Sequence, residues 1–494
     1  MTELHRQLLQ AFDQYKSHAA IESKAVNRIT YGQLAANVSE LIAKIAACSK
    51  SNNIVLGILS TRCAEAYIGV LAAFFSGVRF VPLNPGLPIS RLNQVVSAGK
   101  IDIVVFDTAN AKVASELEVE SLLVAIDRSV SEAPKSLKNE NFDCGEMDIA
   151  YQMFTSGSTG KPKGVPISYG SLVHYVTEIK KEIEFPPYSR YSQLFDLSFD
   201  LSMHDIFVTL SSGGTLVPAS SLDLMMPHDY IRKKEIDIWF SVPMLSVIAV
   251  RGQANKAVEH QLTTALFCGE ALVTDYAISF QRFLGDTSNI YNLYGPTEAT
   301  IAFTIKKLDE HDSIFSTVPL GTGFGKNNVA IDTKDGVVEA LADGVQGELL
   351  LSGPQVFDGY KPDVAIDCFV QYDGHTYYRS GDNVEIISGQ LIHKGRKDSQ
   401  IKFRGYRIEL GDIEATFRRL FDCSTAVAVL VGDGEKTEIV LAYDNAVPVE
   451  DFSSLDRDLP PYMIPARYVQ LDNIPTNING KVDRIAIKTL VESS

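Results

Sequence analysis

The chain has 494 residues, of which 45% are hydrophobic and 21% charged, and its formal net charge is -16 at pH 7. This length exceeds what one hydrophobic core usually organises, so we expect at least two domains in a protein of ordinary globular composition. An acidic surface repels phosphate backbones and anionic lipids, which argues against a nucleic-acid-binding or membrane-surface protein.

The cysteines and the N-terminus indicate a compartment. The 6 cysteines are scattered and form neither a C-x-x-C pair nor a cluster with metal-ligand spacing, which favours a reduced, cytoplasmic protein. The segment after Met1 lacks the basic start and apolar run of a signal peptide, and no apolar stretch reaches the roughly 18 residues of a membrane span. We therefore expect a protein that is neither secreted nor membrane-spanning.

Apolar strands and helices alternate between residues 53 and 106. The predicted elements are a strand at 54–59, a helix at 64–76, a strand at 79–82, a helix at 89–98 and a strand at 103–106. This alternation predicts a parallel α/β layer. Further apolar strands are predicted at 238–242 and 265–267, whereas 347–352 and 375–384 are expected to be antiparallel, because glycine-containing turns accompany them.

The pattern changes after Asp398. A strand at 400–403, a helix that begins near Gly411 and a hairpin around 432–434 indicate a compact α+β unit of about 95 residues. We therefore predict a larger α/β domain at 1–397 and a smaller α+β domain at 398–494.

The segment from Phe154 to Gly164 is dense in hydroxyls and glycines. Its backbone N–H groups and hydroxyls could wrap a polyphosphate, and its lysines would complete an anion site. It is not a P-loop, because the spacing G-x-x-x-x-G-K-[ST] is absent and Pro162 follows Lys161 where Ser or Thr should stand. A flexible surface loop is the alternative for such a composition.

The full loop is similar to the signature loop of the adenylate-forming superfamily, which includes acyl-CoA synthetases, luciferases and amino-acid adenylation domains of nonribosomal peptide synthetases. Four later segments resemble the family's other motifs in the family's order: 291–298 (adenine and magnesium), 378–382 (ribose), 395–400 (hinge) and 479–484 (C-terminal lysine). The departures are Ser380, where Thr is usual, and Asn84, where Asp is common. The resemblance implies a large layered α/β domain with a small β-barrel-like part, followed by a mobile α+β domain.

The resemblance also implies an ATP site. Its residues are Thr155, Ser156, Gly157, Ser158, Thr159, Gly160, Lys163, Gly269, Glu270, Ala271, Asn292, Tyr294, Gly295, Thr297, Asp382, Arg396 and Lys481. The hydroxyls and Lys163 would hold the β- and γ-phosphates, Tyr294 would stack on adenine, and Asn292 would accept from the adenine amino group. Asp382 would accept hydrogen bonds from both ribose hydroxyls.

Three residues are the implied catalytic candidates: Lys481, Thr155 and Glu298. Glu298 would ligate Mg²⁺, a hard cation that prefers oxygen. The ammonium of Lys481 would reach both the attacking carboxylate and the α-phosphate, where charge develops in the transition state.

The family's C-terminal domain rotates between an adenylating and a thioester-forming pose, and the resemblance places the hinge at Asp398. In the second pose Lys481 leaves the site and segment 402–406 faces the phosphopantetheine arm of a separate carrier protein. Four arginines of the small domain form either an ordinary solvated face or a dock for an acidic carrier protein: Arg404, Arg407, Arg418 and Arg419.

Segment 199–204 resembles the adenylation-domain segment in which an aspartate binds the α-ammonium of an amino acid. Acyl-CoA synthetases need no such buried anion, so Asp200 favours an amino-acid substrate over a plain acid. The implied substrate-binding residues are Asp200, Leu201, His204, Phe240, Leu266, Cys268, Leu293, Ile301, Ala302 and Lys481. One anion, one cation and otherwise chiefly apolar walls predict a small side chain.

Two substrates fit this pocket. Segments 267–270 and 295–300 resemble D-alanine:carrier-protein ligases, whereas the apolar wall resembles stand-alone L-prolyl-AMP ligases. We predict L-proline, because three methylenes suit the wall better than one methyl and each buried methylene contributes about 0.8 kcal/mol. D-alanine is the alternative. An acyl-CoA synthetase is disfavoured by Asp200, and a non-catalytic adenylate-binding protein by intact Lys481 and Glu298.

Overall fold

The computed structural model of the protein describes most of the chain. The described residues are 1–23, 28–48, 54–118, 122–126, 137, 144–155, 162–251, 260–285, 288–338, 342–362, 368–421, 423, 425–432, 434–444, 451–471, 473–476 and 482–492. Six predicted site residues lie outside them: Ser156, Gly157, Ser158, Thr159, Gly160 and Lys481.

The first part of the chain forms the predicted α/β layer. Its elements are α1 (Glu3–Gln14), β1 (Ala19–Ile21), β2 (Ile29–Thr30), α2 (Tyr31–Cys48), β3 (Val55–Leu59), α3 (Ala64–Ser76), β4 (Arg79–Leu83), α4 (Ile89–Gly99), β5 (Ile103–Phe106), α5 (Ala111–Glu116), β6 (Leu122–Ala125), β7 (Ile149–Thr155) and β8 (Lys163–Ser168). Six strands pair in the order β6-β5-β3-β4-β7-β8, parallel except for the β7–β8 hairpin. Every residue of β3 is buried, as expected for a parallel sheet covered on both faces.

The second part forms a nine-stranded sheet with β1 and β2. Its elements are α6 (Tyr169–Glu182), β9 (Arg190–Gln193), α7 (Leu201–Ser211), β10 (Thr215–Pro218), α8 (Ser221–Met225), α9 (Pro227–Lys233), β11 (Ile238–Ser241), α10 (Pro243–Arg251), β12 (Thr264–Phe267), α11 (Thr274–Leu284), β13 (Asn289–Tyr294), β14 (Thr304–Lys307) and β15 (Thr322–Gly323). Strands β13, β12, β11 and β9 are parallel neighbours. The predicted strands at 238–242 and 265–267 are therefore confirmed.

The register brings three strand ends together at one edge of this sheet. Ser241 pairs with Phe267, and Phe267 pairs with Asn292. The segments that follow these residues leave the sheet at its carboxyl edge, where open α/β sheets bind ligands.

The third part is an antiparallel sheet, as predicted from the glycine-containing turns. Its strands are β16 (Asn328–Thr333), β17 (Gly336–Val338), β18 (Gln346–Ser352), β19 (Phe369–Tyr372), β20 (His375–Ile387) and β21 (Gln390–Arg396). All their pairings are antiparallel.

The last part has its own apolar cores. Its elements are β22 (Gln400–Phe403), β23 (Tyr406–Glu409), α12 (Leu410–Phe421), β24 (Thr425–Val431), β25 (Glu438–Asp444), β26 (Arg467–Gln470) and α13 (Arg484–Glu492). Alternate residues of β24 enter different cores: Ala426 and Ala428 join Phe417 of α12, whereas Val427 and Val429 join Ile487 of α13. This unit thus packs a helix on each face of its sheet. A domain boundary at Asp398, between β21 and β22, stays a prediction.

Within the part of the chain that the structure describes, no helix has both the length and the hydropathy to cross a bilayer. Cys48, Cys63 and Cys268 are free thiols.

Candidate active site

A hairpin of the small C-terminal unit closes over the carboxyl edge of the nine-stranded sheet. Gly405, at the tip of β22–β23, donates its N–H to Glu270 Oε1 at 2.7 Å. The rings of Tyr406 and Phe199 meet edge to face, 4.9 Å between centroids. The two parts of the chain enclose a cavity of about 1180 Å³ whose lining includes Arg404 and Tyr276.

Asn292 lies in β13, two residues before the strand ends, and has one polar atom without a partner among the described residues. Its amide nitrogen donates to the carbonyls of Val318 (3.1 Å) and Pro319 (2.9 Å), which fixes the orientation of the side chain. Its buried Oδ1 has no hydrogen-bond partner among the described residues. Because buried acceptors are rarely left unpaired, this oxygen suits an incoming donor such as an adenine amino group. It borders a small cavity of about 30 Å³, also lined by Ala271 and Lys402.

Asp382 lines the cavity of about 1180 Å³ and is almost fully buried. Its Oδ2 accepts a hydrogen bond from Tyr294 Oη at 2.7 Å, and its Oδ1 lies 3.2 Å from both Arg396 Nη1 and His393 Nε2. Burial opposes ionisation, but the His393 hydrogen bond and the positive charges of Lys402 and Arg396 prevail and hold the pKa of Asp382 below its ordinary value. Asp382 is therefore an ionised acceptor.

The sequence reasoning missed His393, and it placed Lys402 only in the segment that faces the pantetheine arm, not beside the predicted adenine site. The ammonium of Lys402 lies 5.5 Å from the ring centroid of Tyr294, on the ring proposed to stack on adenine. Both residues stand on strands, where a charged or imidazole side chain alone gives no functional signal.

Glu298 is fully buried, with both carboxylate oxygens engaged. Oε1 accepts from Tyr360 Oη at 2.7 Å, and Oε2 accepts from Arg407 Nη1 at 2.6 Å. Burial would raise the pKa of Glu298, but the charge of Arg407 outweighs it and lowers the pKa below its ordinary value. The interpretation of Arg407 as part of a surface dock is wrong, because its guanidinium points into the site. Arg419 does lie at the surface, paired with Asp458.

Thr155 and Lys163 frame the predicted phosphate loop. They pair with each other in the β7–β8 hairpin, at the end where the connecting loop begins. Lys163 Nζ lies 5.8 Å from the ring centroid of Tyr360, which also contacts Glu298. The loop therefore leaves and enters the sheet next to the Glu298 carboxylate.

Two glycines of the predicted ATP site are required by shape. Gly269 has a φ of 92°, which favours glycine. A Cβ at Gly295 would lie 2.8 Å from the Cα of Ala302. Thr297 begins the short 3₁₀ turn that carries Glu298.

Asp398 is clamped by its neighbour. Arg396 donates from Nε to Oδ1 (2.9 Å) and from Nη2 to Oδ2 (2.6 Å), and the N–H of Gln400 donates to Oδ1 (3.1 Å). Such a bidentate pair restricts the backbone between β21 and β22.

The predicted substrate residues are brought together. Asp200 precedes α7 and accepts the N–H of Ile301 at 3.0 Å, and Cys268 Sγ lies 4.0 Å from the carbonyl of Ile301. Phe240 pairs with Leu266 across β11 and β12. The predicted substrate residues that belong to the main apolar core are Leu201, Phe240, Leu266, Cys268, Leu293, Ile301 and Ala302. Burial raises the pKa of Asp200 to about 6, and the Ile301 N–H opposes that shift.

His204 lies one turn after Asp200 and packs against Phe240, another predicted substrate residue. Its Nδ1 lies 2.7 Å from Tyr175 Oη, and its ring centroid lies 4.5 Å from that of Phe240. Burial lowers the pKa of His204 to about 3, so the imidazole is neutral at pH 7.

The turn that presents Ile301 is strained. Thr300 and Ile301 have φ values of 57° and 68°, in the left-handed region. β-Branched residues rarely adopt this conformation, and each such residue costs about 1–3 kcal/mol. The sequence reasoning missed this turn, because β-branched residues carry no signal for it.

Comparison with known proteins places this geometry in a family. The model of the family described as AMP-binding enzyme matches residues 8–361. The chain belongs to the AMP-binding enzyme family. The resemblance drawn from the loop and the four later motifs is therefore confirmed, and relatives named as ligases agree with an enzyme of this class.

Three similar members of the family are informative. The D-alanine--D-alanyl carrier protein ligase of Listeria monocytogenes is 31% identical, covering 89% of this chain and 88% of its own. The L-proline--[L-prolyl-carrier protein] ligase of Pseudomonas fluorescens is 30% identical, covering 100% of both. The crystal structure of the Vibrio cholerae adenylation domain AlmE, in complex with glycyl-adenosine-5'-phosphate, is 29% identical with a TM-score of 0.88, covering 100% of this chain and 98% of that one.

Proposed function

We propose that this enzyme joins a small amino acid to AMP and then transfers the aminoacyl group to the phosphopantetheine thiol of a separate carrier protein. One observation carries the proposal: Asp200 is a buried carboxylate whose Oδ2 accepts the backbone N–H of Ile301, a residue of the apolar core. A buried anion in an apolar pocket calls for a cationic partner, which the α-ammonium of an amino acid supplies.

In the first half-reaction, a carboxylate oxygen of the amino acid bonds to the α-phosphorus of ATP, and the bond to pyrophosphate breaks. Two anions meet, so positioning and neutralisation of charge supply the catalysis. Asn292 and Asp382 would hold the nucleoside, residues 155–163 the leaving phosphates, and Lys481 the developing charge.

ATP would enter with Mg²⁺. Glu298 fits that ion as a buried, ionised oxygen donor once Arg407 has left it. The described residues offer no group of three or more His, Cys, Asp or Glu for a metal, which suits an ion held by one carboxylate, phosphates and water. The ion would neutralise phosphate charge.

In the second half-reaction, the thiolate sulfur bonds to the carbonyl carbon of the aminoacyl-adenylate and AMP leaves. The cavity of about 1180 Å³ supports this step, because it runs between the two parts of the chain and its lining includes Asp382 and Arg404. A pantetheine arm needs such a passage to reach a site that the β22–β23 hairpin covers.

We further propose a side chain no larger than methyl, with D-alanine and glycine ahead of L-proline. His204 is 2% and Phe240 2% exposed, and their rings pack against each other among the predicted substrate residues. The volume that the His204 and Phe240 rings occupy is not available to the pyrrolidine ring of proline. The apolar wall of Leu266, Leu293 and Ile301 favours L-proline as the second candidate, and the relatives include ligases named for each of D-alanine and L-proline.

Amino-acid-dependent exchange of pyrophosphate into ATP tests the proposal. D-alanine, L-alanine, glycine, L-proline and propionate would be compared at equal concentrations. We expect exchange with D-alanine or glycine to exceed that with L-proline by about 10-fold or more. Faster exchange with L-proline would overturn the size assignment, and exchange with propionate alone would overturn amino-acid activation.

A further inference from the structure

Gln355 is a fully buried side chain that spans the strained 299–302 turn. Its Nε2 lies within hydrogen-bond distance of three carbonyl oxygens, those of Ala299 (3.2 Å), Thr300 (3.0 Å) and Ala302 (2.7 Å). Its own carbonyl accepts the hydroxyl of Thr300 at 2.7 Å. One residue from a loop distant in sequence thus contacts three of the four residues of the turn.

The side-chain amide of Gln355 is oriented by the contacts of its oxygen. Gln355 Oε1 accepts from Asn327 Nδ2 at 2.8 Å and lies 3.1 Å from His174 Nδ1. Because Oε1 faces these donors, the NH₂ group must face the carbonyls of the turn. The Asn327 amide also donates to the carbonyl of Phe303 at 3.2 Å, so these hydrogen bonds extend one residue beyond the turn.

The 299–302 turn also contacts the carboxylate proposed to bind the substrate ammonium. It aims the N–H of Ile301 at Asp200 Oδ2, and it sets Ile301 and Ala302 into the wall of the substrate pocket. A relaxed turn would swing this N–H away, since left-handed backbone persists only when its surroundings over-determine it.

We propose that Gln355 is a positioning residue for amine recognition: by locking the 299–302 turn, it holds the Ile301 N–H on Asp200 and so keeps that carboxylate placed and ionised for the substrate ammonium. This inference rests on the proposed function, in which Asp200 binds the ammonium. Gln355 itself touches no substrate.

The test replaces Gln355 by Met, which is similar in volume but cannot donate or accept as the amide does. For amino-acid-dependent pyrophosphate exchange, KM for the amino acid should rise about tenfold or more, while KM for ATP stays within about twofold. The preference for alanine over propionate should fall by a similar factor. Asn37→Ala is the matched control, because it removes a buried amide of α2 that donates to the carbonyl of Gln33.

Thr300→Val provides a milder second variant if Gln355→Met does not fold. It removes only the hydroxyl that donates to Gln355, and the same KM should rise by a smaller factor. If both variants lower kcat alone and leave both KM values unchanged, as a smaller folded fraction would, the inference is overturned. If wild-type enzyme shows no amino-acid-dependent exchange, the proposed function fails first.

Discussion

The guanidinium of Arg407 lies 2.6 Å from the carboxylate of Glu298, 109 residues earlier in the chain. In this pose Arg407 of the small C-terminal unit therefore pairs with Glu298, the carboxylate proposed to bind Mg²⁺. Both cations require the same oxygens. Binding of Mg-ATP and insertion of Arg407 should thus exclude each other, which separates the two half-reactions in time.

Arg407→Ala tests this relationship. Without Arg407, the buried Glu298 loses its charge partner in the observed pose, and that pose becomes less stable. We expect carrier loading from supplied aminoacyl-adenylate to slow by on the order of 10-fold or more, with pyrophosphate exchange much less affected. Rapid-quench kinetics would measure both steps. The control is Arg419→Ala, which removes only the surface pair with Asp458; equal loss of both half-reactions in Arg407→Ala would contradict the expectation.

The backbone at Asp398 should affect transfer to the carrier protein but not adenylation. Asp398→Pro removes the Arg396 clamp and fixes φ between β21 and β22, so rotation of the C-terminal unit becomes restricted. We expect normal pyrophosphate exchange and slow carrier loading. Lys397→Ala, at the exposed neighbouring position, is the control. A proline variant that loads at the wild-type rate would show that the rotation occurs elsewhere.

Lys481 should serve only the first half-reaction. Lys481→Ala is expected to lower amino-acid-dependent pyrophosphate exchange by about 10²- to 10³-fold, since one preorganised charge at a transition state contributes that much. Transfer from supplied aminoacyl-adenylate should be much less affected. Parallel losses would mean that Lys481 has a structural role.

Asp200 should lower the stability of the protein at neutral pH. Its folded pKa of about 6 lies above its usual 3.8, so the folded state binds the proton more tightly and stability falls as pH rises from about 4 to about 6. At 1.36 kcal/mol per pKa unit, the ionised group costs about 3 kcal/mol. Asp200→Asn should therefore unfold at a higher urea concentration than wild type at pH 7, with no such gain at pH 4.

The same titration should appear in activity. Below pH 6 Asp200 becomes protonated and loses its charge for the ammonium, so kcat/KM for the amino acid should fall as pH falls through about 6. Two charged side chains also influence the pKa of Asp200: Glu298 raises it and Arg407 lowers it. A profile flat between pH 5 and pH 7 would contradict ammonium recognition by Asp200.

Local pattern predicted part of the fold well. The helix predicted at 64–76 is α3 with the same bounds, because its glycine cap and the flanking apolar strands are signals within a short segment. The family resemblance predicted substrate residues that are in contact in pairs: Asp200 and Cys268 with Ile301, and His204 with Phe240. The Arg407–Glu298 and Gln355–Thr300 contacts join residues 109 and 55 apart, and no local pattern encodes such pairs.

The most direct test of the central claim is the intact mass of a phosphopantetheinylated carrier protein after incubation with the enzyme, ATP and D-alanine or glycine. We expect a mass gain of one aminoacyl group, removable by hydroxylamine and absent when the carrier lacks its pantetheine arm. Asp200→Ala should abolish the gain. An unchanged carrier mass, together with an aminoacyl thioester on free coenzyme A, would contradict the account.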